Sequence, residues 1–430
     1  MGLERGPGGG SMWRDESTTW QVAHRPLPEL WRLLGEVDAV HGLHYLLAHG
    51  VFALWDGGLW ALRLPSVAAT ALAAAGVAAL AHHLAGERAA LLAGCAYALL
   101  PPVQAYAQEG RSYALVAAAV AWATYLMLRE RWVSYATVLL LGCWLHEFAL
   151  LALLAHAPTA HRSRGWRWGA AAVCVASAPL VWLSSRQAAA QLGRLAGPGL
   201  EDWAGYGALA AAVLLLARGC PRRDLVRVAV PLALLPPALL LTVSLVRPLY
   251  VDRYVLYALI GVALLAGERL ARPLPARSWA VVAALLVPLL WWSVHLRTPE
   301  ARKDDVLAVA AAVREHARPG DAVLFLPSRR REWLLSSPEV HAGLRDIALD
   351  RAPTASHTLH GTELPPGAIR EALLRSPRVV ALLDPAGQPQ DREPVEAVKR
   401  DTLAAGFERC SETRVHGARV AVYARPGGCG

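Results

Sequence analysis

"LRLPSVAATALAAAGVAALAHHLAGER", Leu62 to Arg88, carries no charged side chain between Leu64 and Ala81, and then closes on a basic stretch. An apolar run of about 20 residues is the length a helix needs to cross the ~30 Å hydrocarbon layer of a bilayer. Outward from it the pattern repeats. The sequence predicts spans at 62–84, 88–104, 112–128, a close pair at 133–145 and 148–160, then 169–183, 204–217, 228–246, 254–268 and 279–296. The close pair is long for one crossing and short for two, which predicts a broken or re-entrant hairpin. About ten spans result.

Composition agrees. Of 430 residues 55% are hydrophobic and 18% charged, and the mean hydropathy is +0.32. That is the profile of a polytopic α-helical membrane protein. The net charge of +9 is almost entirely arginine, because Lys303 and Lys399 are the only lysines. No single basic face is built from it, so the charge reads as membrane-surface loops and excludes a nucleic-acid partner. The loops "HHLAGER", "RERW", "HRSRGWRW", "ARGCPRRDLVR" and "GERLARPLPARS" fall on one side at every second turn, as cytoplasmic loops do. The opposite, extracytoplasmic face then receives every unusual polar cluster.

Four regions follow. Residues 1–11 are a flexible Gly-rich start, and 12–61 form a first external loop with juxtamembrane helices. Residues 62–296 are the transmembrane bundle, and 297–430 a soluble α/β domain. Within "ELWRLLGEVDAVHGLHYLLAHGVFALW" polar and apolar residues mix at helical spacing. Two interfacial helices broken near Gly35–Asp38 fit it better than a crossing, since Asp38, His41 and His44 are costly at a bilayer centre. In the last region "DDVLAVAAAVREHA" predicts a helix, "AVLFL" and "RVVALLD" buried strands, and "ERCSETRV" with "ARVAVYAR" a hairpin. It lacks a Gly-rich phosphate loop, which leaves a supporting or acceptor-docking role. Cys410 and Cys429 share this domain, where a disulfide and two separate thiols are both open.

Ionisable residues at the edge of a membrane bundle are functional candidates, because a desolvated charge is costly unless a partner offsets it. Asp15 and Glu16 in "SMWRDESTTW" can supply a general base; the structural alternative is an N-cap at Asp15. "QEGRSYAL" places Glu109, Arg111 and Tyr113 at the start of a span. "RPLYVDRYV" repeats the logic with Arg247, Arg253 and Tyr254. Two or three arginines on one face make a site for a lipid phosphate or pyrophosphate. His146 and Glu147, at the hairpin apex, can bind substrate or a divalent metal, although no complete metal-ligand set stands in the sequence. Asp38, His41, His44 and Tyr45 can contact sugar hydroxyls, or anchor a helix at the interface.

The order of these motifs, "WRDES", "DAVHGLHYLL", "LRLPS", "YAQEGRSYAL", "HEF" and "DRYV", resembles the GT-C membrane glycosyltransferases over residues 12–270. Within them it is most similar to the bacterial group of protein O-mannosyltransferases and the lipid A aminoarabinose transferase. The resemblance implies transfer of a sugar from a polyprenyl phosphate donor to an extracytoplasmic acceptor, by a single displacement that inverts the anomeric centre. It implies Asp15 as base, with Glu16 its neighbour and alternate, and Arg111 and Arg253 as ligands of the donor phosphate. Arginines then stabilise the leaving group in place of a metal. No cofactor is firmly implied, and a divalent metal stays open. Mannose and arabinose donors, and glycan, cell-wall, lipid or protein acceptors, are all compatible. Members of the family carry a membrane helix before the acid motif. None precedes Asp15 here, which leads to the expectation of a start upstream of Met1.

A transporter or flippase of a polyprenyl-linked glycan is the alternative, and it calls for ionisable groups near the midplane and two related halves. A membrane anchor presenting the C-terminal domain is a third reading, which leaves the external arginines without a purpose.

Overall fold

The computed structural model describes residues 11–192, 197–273 and 276–429. The Gly-rich start falls outside them, apart from Ser11. In chain order the helices are α1 (Arg14–Ala23), α2 (Leu27–Glu36), α3 (Gly42–Leu54), α4 (Leu59–Ala85), α5 (Glu87–Leu99), α6 (Pro101–Ala107) and α7 (Tyr113–Leu128). They continue as α8 (Trp132–Leu145), α9 (Leu151–Ala160), α10 (Arg164–Leu192), α11 (Leu200–Ala217), α12 (Arg223–Val243), α13 (Leu259–Ala271) and α14 (Ala276–His295). Each apolar run of the sequence is helical.

Among the described residues five helices are long and apolar enough to cross a membrane. They are α4, α10, α11, α12 and the continuous stretch Asp252–Ala271 that ends in α13. A sixth comes from α5 and α6, which are bent by 65° to one another. The sequence reads 88–104 as one straight span; Pro101 and Pro102 break it, because proline cannot donate to the preceding turn. The expected broken hairpin appears as α8 and α9, parted at His146 and a 3-10 turn over Glu147–Leu150.

The chain divides into two compact units, one of Asp38–Leu47 and Arg63–Leu296, the other of the segment up to Val37, Ala48–Leu62 and Arg297 onward. In the first unit small residues let helix backbones approach closely. A Cβ at Gly267 of α13 would stand 2.5 Å from the Ala93 nitrogen of α5, and one at Gly261 would stand 2.2 Å from the Ala229 oxygen of α12. A buried polar chain ties four helices. Thr124 Oγ1 and Tyr135 Oη hydrogen-bond the two ring nitrogens of His156 at 2.9 and 3.1 Å, and Trp166 Nε1 donates to Tyr135 Oη at 3.2 Å.

In the second unit the C-terminal segment continues as α15 (Val306–His316), β1 (Ala322–Leu326), α16 (Glu332–Leu335), α17 (Pro338–His341), β2 (Arg345–Asp346) and β3 (Leu349–Arg351). Then come α18 (Pro353–Ser356), β4 (Thr362–Glu363), α19 (Pro366–Arg375), β5 (Arg378–Leu383), α20 (Pro394–Gly406), β6 (Glu408–Val415) and β7 (Ala418–Ala424). Asp305 caps α15 by accepting from the Leu307 and Ala308 amides at 3.1 Å. The main sheet has the order β2-β1-β5-β7-β6, with β2, β1 and β5 parallel and β6 and β7 a closing antiparallel pair.

Alternation along β1 separates two cores. Val323 and Phe325 pack with Val309, Val313, Trp333 and Leu334 on one face, while Ala322, Leu324 and Leu326 pack with Ile369, Leu373 and Leu403 on the other. Helix α1 joins the first layer: Ser17 Oγ donates to the Glu332 carbonyl of α16 at 2.9 Å, and the Val306 amide donates to Met12 at 2.7 Å. A disulfide joins Cys410 of β6 to Cys429.

Candidate functional site

In the first unit the polar residues gather around the start of α7 and the apex of the α8–α9 hairpin. Asp38 holds a left-handed backbone, φ 61°, a conformation that short acidic side chains tolerate. Its carboxylate accepts the Tyr45 hydroxyl one turn into α3, and the His41 ring stands 4.0 Å away. His44, on the same helix, pairs through Nε2 with the Gly110 carbonyl at 3.0 Å. That contact fixes the turn that carries Arg111.

Arg111 is buried, with 4% of its surface exposed. Ser66 Oγ donates to its carbonyl at 2.9 Å, beside the proline of "LRLPS" inside α4. Its guanidinium lies within hydrogen-bonding reach of Tyr45 Oη. From the other side of the group Arg253 Nε donates to Tyr113 Oη at 3.0 Å, its charge 5.6 Å from the Tyr113 ring and 5.5 Å from the Tyr254 ring. The His146 ring centre is 4.4 Å from that of Tyr254, 5.9 Å from Tyr113 and 5.5 Å from His41. Both arginine charges act on His41 and on His146. Asp38, His41, His44, Tyr45, Arg111, Tyr113, His146, Arg253 and Tyr254 therefore form one group.

Two guanidinium groups beside imidazole and phenol donors can hold a doubly charged oxyanion and a polar ring attached to it. The remaining candidates stand at or beyond the rim. Glu109 lies in the turn before Arg111, near Tyr106. Glu147 accepts the Ser184 hydroxyl of α10. Arg247 is exposed in the turn after α12. Among the described residues no three His, Cys, Asp or Glu side chains are grouped as metal ligands.

Several supporting residues escape a sequence reading. Ser66 orients the Arg111 turn, Gln187 Oε1 accepts the Ala39 amide at 2.9 Å, and Tyr106 hydroxyl reaches Asp252 at 3.3 Å, next to Arg253. Each acts across more than 45 residues of chain, so no local spacing signals it.

The acid pair lies in the second unit, on the first turn of α1. The helix begins at Arg14 with Trp13 in the capping position, so Asp15 is a first-turn residue and not the N-cap. Glu16 is fully buried, and its Oε2 accepts the Trp13 amide at 3.5 Å. Asp15 keeps 18% of its side chain exposed, 3.8 Å from Arg14 Nε. Of the two, Asp15 can meet a substrate and Glu16 holds the helix start. Nearby Asp304 accepts the Arg14 amide at 2.8 Å. Burial raises its carboxyl from 3.8 to about 6, a rise that the Arg14 hydrogen bond and charge moderate.

Neither a protein-family model nor a curated protein matches the chain. Solved structures do. The chain is similar to ArnT from Cupriavidus metallidurans in the apo state, with a TM-score of 0.57 at 15% identity over 95% of this chain and 93% of that one. It is also similar to the same protein bound to undecaprenyl phosphate, with a TM-score of 0.51 at 16% identity over the same shares. At that identity the likeness is one of fold, and it extends through the helical bundle and the C-terminal sheet domain alike. The architecture implied by the sequence motifs, a multi-pass helical membrane protein ending in an α/β domain, is the one found.

Proposed function

We propose that this chain, built on the fold it shares with ArnT, is an inverting glycosyltransferase that moves a sugar from a polyprenyl phosphate donor to an extracytoplasmic acceptor. The observation that carries the reading is the convergence of Arg111 and Arg253 with His41, Tyr45, Tyr113, His146 and Tyr254 in one polar group of a membrane bundle. Charges set into an apolar bundle mark a ligand path, and guanidinium pairs suit a phosphate. That the ArnT structure can bind undecaprenyl phosphate supports a lipid phosphate as the ligand class.

On this reading the two arginines neutralise the polyprenyl phosphate as it departs, so that charge developing on the leaving oxygen is met by donors already in place. The His and Tyr side chains hold the sugar hydroxyls. Asp15 accepts the proton of the acceptor hydroxyl as its oxygen attacks the anomeric carbon; the C–O bond to the phosphate breaks and the configuration inverts. Glu16, buried and engaged with Trp13, keeps the base in position. The disulfide of the C-terminal domain fits an oxidising compartment, which supports the extracytoplasmic placement of that domain and of the chemistry. The sugar is a hexose or pentose, and the acceptor a glycan, lipid or protein hydroxyl.

The donor site is tested by Arg111→Ala. Binding of a polyprenyl phosphate to the purified protein should weaken at least tenfold, the loss expected when a charge-assisted contact of ~1.5–3 kcal/mol is removed, with little change for a free sugar. Equal losses for both ligands would count against a phosphate role.

A further inference from the structure

Strands β1 and β5 lie side by side in parallel, and Leu326 pairs with Leu383, so both end at the same level. The chain then departs in opposite directions. After β1 it passes through α16 and α17 to β2 on one flank; after β5 it passes through α20 to the β6–β7 pair on the other. Residues of α16 and α17 pack on the Val323 and Phe325 face, those of α20 on the Leu324 face. In open α/β sheets the crevice where neighbouring strands part in this way is where ligands bind.

A cleft of about 270 Å³ occupies that position. It is lined by Arg329 and Arg330 from the loop after β1, Pro385 and Gln388 from the loop after β5, and by Arg14, Lys303, Asp304, Trp333 and Gly417. Four lining side chains are cationic and one is anionic. The loop after β1 is held from behind: fully buried Arg331 bonds Asp346 at 2.5 Å and Glu363 at 2.9 Å, and the Ser328 amide donates to Glu396 at 2.8 Å. Fully buried Lys399 joins Glu363 at 2.5 Å to Glu396 at 3.1 Å.

Asp384, the first residue after β5, takes Arg330 Nε at 2.6 Å and Arg329 at 2.9 Å, and Arg330 lies flat over Trp333, 4.2 Å from the ring centre. Arg330 thus serves as the fixed wall. Arg14 and Arg329 keep 45% and 26% of their side chains exposed, and Lys303 is exposed too. A guanidinium has five N–H donors and a carboxylate takes at most two, which leaves capacity for a further oxyanion.

We propose that this crevice of the C-terminal domain binds a phosphoryl group, through Arg14, Lys303 and Arg329 arriving from three separate stretches of chain. A planar carboxylate is satisfied by a single bidentate arginine; cations converging from several directions suit a tetrahedral dianion. The site is separate from the arginines assigned to the donor, and it stands whether or not Asp15 serves as a base.

The test is titration calorimetry on the full chain in detergent at constant ionic strength, with inorganic phosphate, glycerol 3-phosphate and glucose 1-phosphate as probes and chloride as the blank. Phosphatidic acid in phosphatidylcholine nanodiscs is the lipid arm. Saturable binding is expected, weakened about tenfold by Lys303→Gln and by Arg329→Gln, and unchanged by Arg111→Ala. Should Arg329→Gln fail to fold, Arg14→Gln, altered at an exposed side chain, reads the same loss. Preference for phosphatidic acid would identify the source as a lipid headgroup, and preference for glucose 1-phosphate a phosphorylated glycan; either supports the site. Heats no larger than those of chloride, variants that bind as the parent does, or loss of binding in Arg111→Ala would overturn it.

Discussion

Two carboxylates one residue apart take opposite fates on α1, and geometry decides which. Glu16 points into the layer against α16 and accepts the Trp13 amide, while Asp15 keeps part of its surface exposed. Asp304, which receives the Arg14 amide, is burdened by burial instead. Its carboxyl titrates near 6 in the folded chain and near 3.8 when unfolded. Between those values the folded protein holds a proton that the unfolded chain has released, so stability falls as pH rises through this window and stays lower above it. Asp304→Asn retains an oxygen to accept from Arg14 and removes the ionisation. Its melting temperature should exceed the parent's at pH 7.5, with the difference shrinking toward pH 4; parallel curves across that range would contradict the assignment.

At the scale of elements, the bundle depends on close backbone approach where glycine leaves room. Helices α5 and α13 meet at Gly267, where any side chain collides with the backbone of Ala93. Gly267→Val should cost ~1–3 kcal/mol by overpacking and lower the thermal midpoint in detergent. An unchanged midpoint would mean that the two helices do not pack there. The C-terminal hairpin depends on its disulfide, which closes a loop of 19 residues. Cys410→Ser should lose ~3 kcal/mol, and reductant should lower the parent to the variant's stability; a midpoint indifferent to both would remove the bond from the account.

Apolar runs made these helices legible from the sequence, because length and hydropathy are local properties. The strands of "AVLFL" and "RVVALL" were legible for the same reason. What escaped was non-local: the bend forced by Pro101 and Pro102, the two-residue strand β2, and the polar contacts of Ser66, Gln187 and Asp252. The gathering of His41, Arg111, His146 and Arg253 was announced only as isolated motifs. Tertiary packing of α3, α7 and the hairpin apex brings them together, and no spacing rule encodes it.

For the whole molecule, the fold supplies two kinds of surface: a membrane bundle with a cationic, phenol-lined polar group, and a sheet domain against which the acid-bearing helix α1 is packed. A transporter could use the first alone. An inverting transferase needs both, since the acid is required to take the acceptor proton and the arginines to release the lipid phosphate. The decisive measurement is turnover of a radiolabelled polyprenyl phosphate sugar by the protein in proteoliposomes, with the acceptor product analysed for anomeric configuration and the parent compared with Asp15→Asn. The account predicts transfer with inversion, release of polyprenyl phosphate, and a loss of at least ~100-fold in the variant with donor binding intact. Retention of configuration, or undiminished transfer by Asp15→Asn, would contradict it.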